Sequence, residues 1–138
     1  MKVFIDSNII ISAARNPNGK PFQAFLKAVT FPNTGVICEQ NIDEIHRIFN
    51  RKFPYQITLL EHFWAFALPL LTVLPVPLNA YSDEVKLQDV DDRPLLRAAI
   101  YANVDVFITG DKGIIKSNVV KPKIMTPVDF LNFGLYIC

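Results

Sequence analysis

Four acidic residues far apart in the chain, Asp6, Glu44, Asp92 and Asp111, have the types and settings that metal-assisted chemistry requires. Asp6 follows the apolar run Val3-Phe4-Ile5 with no turn residue between them, so a carboxylate sits where a buried strand ends. Asp111 repeats that layout after Val104-Asp105-Val106-Phe107-Ile108, reached through Thr109 and Gly110, the latter expected to permit a turn that a larger residue would strain. If these two strands are neighbours in a parallel sheet, both carboxylates reach one edge, where open sheets bind ligands. Glu44 and Asp92 are the helical acids oriented toward that edge. At about 100° per residue, Glu44 lies within about 40° of Ile48 at the border of an apolar stripe, whereas Asp43 points nearly opposite. Asp92 falls at the centre of the face made by Leu95, Leu96 and Ala99, with Asp91 about 100° away.

Clustered carboxylates raise one another's pKa values and cannot all stay ionised without a cation. Mg²⁺ or Mn²⁺ is the natural occupant, because both take oxygen ligands and bridge carboxylates to phosphate. Such a site lowers the pKa of a bound water and stabilises the oxygen departing from a phosphodiester. Ser7, Asn8 and Thr109 are placed to orient the ligands through hydrogen bonds. Each acid also has a plainer role. Asp6 can help Ser7 or Asn8 cap the helix that begins there, and Asp91 or Asp92 can cap the helix after Pro94.

The elements that carry these residues alternate. A strand at Val3–Ile5 is followed by a short helix, a turn at Asn16–Gly19, and a helix with Pro21 in its first turn. Gly35–Cys38 reads as a second strand and Gln40–Lys52 as a helix ended by Pro54. Ile57–Leu68 is apolar on more than one helical face, so it belongs in the core or against another chain. Leu70–Leu78, broken by prolines, suits an extended edge segment. Asp83–Asp92 is acidic and turn-prone, Lys123–Met125 is a short strand, and Thr126 with Pro127 starts a last helix. This order predicts one α/β domain over residues 1–138 with a mainly parallel sheet of four to five strands flanked by helices.

With 138 residues, 51% of them hydrophobic and 20% charged, the chain can fill a core without a disulfide or metal staple. A net charge of +1 means that nucleic acid would be held by local patches. Arg47, Arg51 and Lys52 form one, although cations at a helix end also compensate its dipole. Cys38 and Cys138, and the isolated His46 and His62, lack the spacing of a disulfide framework or zinc site, which suits a reducing cytoplasm. No signal-peptide pattern opens the chain, and Phe63–Leu78 is too short and proline-rich to span a bilayer.

Taken in order, Val-Phe-Ile-Asp-Ser-Asn-Ile (residues 3–9), Asp-Glu-Ile (43–45), Asp-Asp-Arg-Pro-Leu-Leu (91–96), Ile-Thr-Gly-Asp-Lys (108–112) and Thr-Pro-Val-Asp-Phe-Leu (126–131) resemble the PIN-domain family. The likeness is nearest to the small prokaryotic toxins of toxin–antitoxin pairs. The resemblance implies a three-layer fold and a ribonuclease using Mg²⁺ or Mn²⁺, with its acidic quartet on Asp6, Glu44, Asp92 and Asp111. It also implies RNA as substrate, a homodimer, and an antitoxin whose tail occupies the groove. Arg47, Arg51 and Lys112 are then candidate nucleic-acid contacts. Many relatives carry a further Asp where this chain has Gly113, a loss that Asp91 or Asp89 would partly offset. A noncatalytic binding module working through the apolar helix around Phe63-Trp64 is the alternative. Aspartyl-phosphate chemistry is disfavoured, since position 8 is Asn and adjacent acids at the first strand's end are absent.

Overall fold

The structure, a computed structural model, describes residues 1–134. Cys138 lies outside the described residues. Five strands form one parallel sheet: β1 (Lys2–Ile5), β2 (Thr34–Cys38), β3 (Leu71–Leu74), β4 (Val106–Ile108) and β5 (Lys123–Met125), in the order β3-β2-β1-β4-β5. Their apolar side chains alternate between two cores, as pleating requires. Val3 and Ile5 face a core shared with α1 (Ser7–Arg15), α2 (Lys20–Val29), α3 (Glu39–Lys52), α4 (Ile57–Ala67) and α7 (Pro127–Asn132). Phe4 faces the opposite core with α5 (Arg93–Tyr101) and α6 (Lys112–Ile115). There Phe4 stacks on its cross-strand partner Phe107 with ring centroids 4.7 Å apart. The result is the three-layer arrangement expected of the sequence. Among the described residues no helix is long and apolar enough to cross a membrane.

The chain leaves β1 toward β2 and β3 on one side and returns to β4 and β5 on the other. The switch point therefore lies between β1 and β4, whose register pairs Ile5 with Ile108. Such a reversal opens a crevice outside the carboxyl ends of the strands. Asp6 and Asp111 follow those ends.

Several local expectations shift. The α1 cap is Asp6 itself, whose Oδ1 accepts from Ser7 N at 2.8 Å, and neither Ser7 nor Asn8 fills that role. The segment after β2 is helical from Glu39, one residue early. The proline-broken segment supplies the edge strand β3. Phe63 and Trp64 are buried, with His46 stacked on Trp64, so the exposed apolar surface of α4 is Leu59 and Phe66 instead. Gly110 does not have a left-handed backbone, and a Cβ there would meet Asn8 only at an ordinary 3.4 Å. Gly35 is the glycine that close approach demands: a Cβ would lie 2.7 Å from Val29 as α2 packs on β2.

The acidic connection from β3 to α5 is not simply a solvated turn. Glu84 is 3% exposed and takes both ends of the Arg97 guanidinium, at 2.9 and 3.1 Å, along with Tyr81 N. Burial alone would raise the Glu84 pKa, but the Arg97 bonds and charge hold it below the usual carboxylate range. Arg97 also donates to Pro77 O and Arg93 to Leu87 O, so two arginines of α5 fasten the connection down.

Candidate active site

Asp6 is 4% exposed and both of its carboxylate oxygens accept hydrogen bonds. Ser7 N donates to its Oδ1, while Asn8 Nδ2 and Thr109 Oγ1 donate to its Oδ2 at 3.1 and 2.7 Å. Asn8 spans the switch point, because its Oδ1 also accepts from Gly110 N at 3.0 Å. Thr109 does the same: its Oγ1 accepts from Asp111 N at 3.0 Å. The exits of β1 and β4 are thus laced together by the side chains of Asn8 and Thr109.

Asp111 caps α6, accepting from Ile114 N at 3.1 Å. It lines a cleft of about 190 Å³ with Asp92, Asp89 and Gly113. A Cβ at Gly113 would come within 3.1 Å of Asp111 Oδ1, so glycine leaves that carboxylate uncrowded. Asp92 occupies the cap position of α5 but makes no capping bond, and among the described residues its side chain has no hydrogen-bond partner. The cap on this stretch is Asp89, accepting from Asp91 N. Capping therefore does not account for Asp92.

Glu44 is half-buried and Asp43 exposed, as the helical projection requires. Glu44 opens into a separate cleft of about 360 Å³ with Arg47, Ile48, Arg51 and Asp91. Gln40 Nε2 donates to Asp91 O at 3.2 Å, tying α3 to the stretch that ends in Asp92. Lys112 is exposed and lines neither cleft.

Asp6 feels the charges of Glu44 and Asp111, and Asp92 those of Asp6, Asp111 and Glu44. Burial pushes Asp6 up to about 6; Thr109 and Ser7 pull it back, and the charges of Glu44 and Asp111 raise it further. Burial likewise pushes Asp92 up to about 7, with Asp6, Asp89, Asp111 and Glu44 adding repulsion. This all-oxygen, mutually repelling set fits a hard divalent cation in donor chemistry. As the side chains stand, no group of three or more His, Cys, Asp or Glu among the described residues is arranged to hold one.

Asn41 carries no distinguishing signal in the sequence. It is completely buried, accepts from Cys38 N at 2.9 Å and donates to Ser7 Oγ at 2.9 Å, joining the start of α3 to the start of α1. Its place one residue past the expected start of a helix gave no hint of this.

A parallel α/β sheet with acids at its switch point places a polar crevice where such sheets bind ligands. Comparison with known families narrows this: a PIN domain model matches residues 2–113, and the chain belongs to that family. PIN domains are generally nucleases, acting on RNA or other nucleic acid and typically using divalent metals. The chain is also similar to the uncharacterised protein MJ1680 of Methanocaldococcus jannaschii, with 26% identity over 145 aligned positions covering 95% of this chain and 90% of that protein.

Proposed function

We propose that this protein is a divalent-metal-dependent endoribonuclease and the toxin of a toxin–antitoxin pair, with Asp6, Glu44, Asp92 and Asp111 as ligands for Mg²⁺ or Mn²⁺. The observation that carries this reading is Asp92, a half-buried carboxylate without a hydrogen-bond partner among the described residues, pushed up to about 7 by burial and neighbouring acids. A group so placed destabilises the fold at neutral pH unless a cation compensates it. The bound ion would supply an activated water and positive charge for the departing oxygen.

The chain's own residues prepare the ground for this. Thr109, Asn8 and Ser7 fix both oxygens of Asp6, so reorganisation at that ligand is small. Asp91 and Asp89 are supporting acids on the rims of the two clefts. A cytoplasmic location, a homodimer and an antitoxin partner belong to the same reading. Light scattering tests the dimer, and co-purification with the product of the neighbouring gene tests the antitoxin.

The deciding experiment incubates purified protein with defined RNAs, with and without Mg²⁺ or Mn²⁺. Metal-dependent internal cleavage is expected, and it should vanish in Asp6→Asn and Asp111→Asn with the fold intact. The second reading, a noncatalytic binding module, draws support from Leu59, Phe66, Leu70 and Val73, which remain exposed on α4 and around the edge strand. Calorimetric titration with Mn²⁺ separates the two, because a binding module has no need of metal affinity.

A further inference from the structure

Arg47 and Arg51 stand one turn apart on α3, and both line the cleft completed by Glu44, Ile48 and Asp91. The ion pairs among the described residues are Lys86–Asp83 and Arg97–Glu84, so neither of these guanidinium groups has an acidic partner. Dipole compensation accounts for Arg51 and Lys52 in the last turn of α3. It does not account for Arg47, a turn earlier, nor for Arg51 sharing a cleft with it while Lys52 does not. At a rise of 1.5 Å per residue, Arg47 lies about 4.5 Å and Arg51 about 10.5 Å along the axis from Glu44. The two cations thus form a line that starts at the candidate cutting centre and leads away from it.

We propose that this line is a phosphate track for single-stranded RNA. The strand passes from Glu44 along α3 toward its C-terminus, with one phosphate on Arg47, the next on Arg51, and a base against Ile48. This rests on the nuclease reading above, which locates the phosphodiester to be cut. Three features favour such an occupant. Planar guanidinium groups hold phosphate oxygens in pairs and also stack on bases. A cleft of about 360 Å³ is large enough to take a nucleotide unit. Asp91, on the stretch before α5, repels phosphates from the wall facing α3, so the strand is pressed to the arginine side. An acidic peptide would meet the same arginines but offers no base for Ile48.

The test is fluorescence-anisotropy binding of a labelled oligouridylate to the full chain in Ca²⁺, with RNA integrity checked on a gel, over a range of salt. Each phosphate contact contributes a slope of about −0.7 in log K against log salt for a single strand, or about 2.5-fold in affinity between about 50 and 200 mM. Arg47→Ala and Arg51→Ala should each flatten the slope by about that unit, and the double variant by about twice as much. Arg47→Lys with Arg51→Lys should keep the slope and lose part of the affinity. Lys121→Ala serves as control, since Lys121 is exposed just ahead of β5 at the opposite end of the sheet, and it should change nothing. Unchanged slopes in the alanine variants, no RNA binding by the unaltered chain, or arginine-dependent binding of polyglutamate in place of RNA would each overturn the track. Arginine-dependent slopes in a chain that cuts no RNA with Mg²⁺ or Mn²⁺ would uphold the track and remove the nuclease reading alone.

Discussion

Thr109 Oγ1 donates a 2.7 Å hydrogen bond to Asp6 Oδ2, joining residues 103 positions apart across the switch point. The same oxygen accepts from Asp111 N, so one hydroxyl sets the positions of two candidate ligands. Thr109→Val keeps the shape and removes the hydroxyl. Asp6 then loses the bond that most lowers its pKa, and the acidic limb of the pH–rate profile should move to higher pH. Activity should fall about 10- to 100-fold, as for loss of other ligand-orienting groups. Stability should drop by about 1–3 kcal/mol, because Asp111 N is left without its partner. A profile that keeps its midpoint would show that the bond does not tune Asp6.

Asp92→Asn should separate activity from stability. Removing a repelled, half-buried charge should leave the metal-free protein as stable as before or about 1 kcal/mol more so, while metal-dependent cleavage is lost. Urea unfolding in EDTA beside a cleavage assay measures both. Marked destabilisation would mean that Asp92 serves the fold.

The pKa shifts of Asp6 and Asp92 fix a pH dependence. Both lie above the ordinary 3.8, at about 6 and about 7, so the folded chain holds more protons than the unfolded chain across that window. In EDTA, stability should therefore fall as pH rises from about 4 to about 7 and level off above. Mg²⁺ or Mn²⁺ competes with those protons, so its stabilisation should be larger at pH 8 than at pH 5. Thermal unfolding with and without metal at both values checks this. An equal metal effect at both would detach the ion from these acids.

Asn41→Ala should be among the costlier single changes in the chain. It leaves Cys38 N without its acceptor and Ser7 Oγ without its donor in a completely buried place, for a loss of about 3 kcal/mol by denaturant titration. A variant within about 0.5 kcal/mol of the parent would mean that other groups or water replace the amide.

Glu84→Gln probes the connection to α5. The remaining Arg97 keeps access to solvent but loses its charge partner and one acceptor of its forked hydrogen bond, so stability should fall. Hydrogen exchange should increase across residues 77–92, which Arg97 and Arg93 tie down.

The sequence exposes those features that arise from local pattern. Asp6 and Asp111 are visible because each follows an apolar run at a strand's exit, a pattern that helix capping shares, and the helical projection separates Glu44 from Asp43. The expected buried strand pairing follows from β1 and β4 both being apolar on each face. What stays hidden depends on partners brought in from elsewhere. Glu84 looks like one more acid in a polar turn until Arg97 arrives over it. Asn41 is an ordinary helix residue until Ser7 lies beneath it. Asp6 as its own cap goes unread because Ser7 and Asn8 offer equally good capping oxygens in the next two positions.

The switch point has a consequence for synthesis. β1 emerges first but is flanked by β4, so Asp6 must wait for Thr109 and Asp111 before its surroundings exist. On the nuclease reading proposed above, a chain still growing on the ribosome holds the earliest acid without its later companions, so cutting waits until Asp111 has emerged.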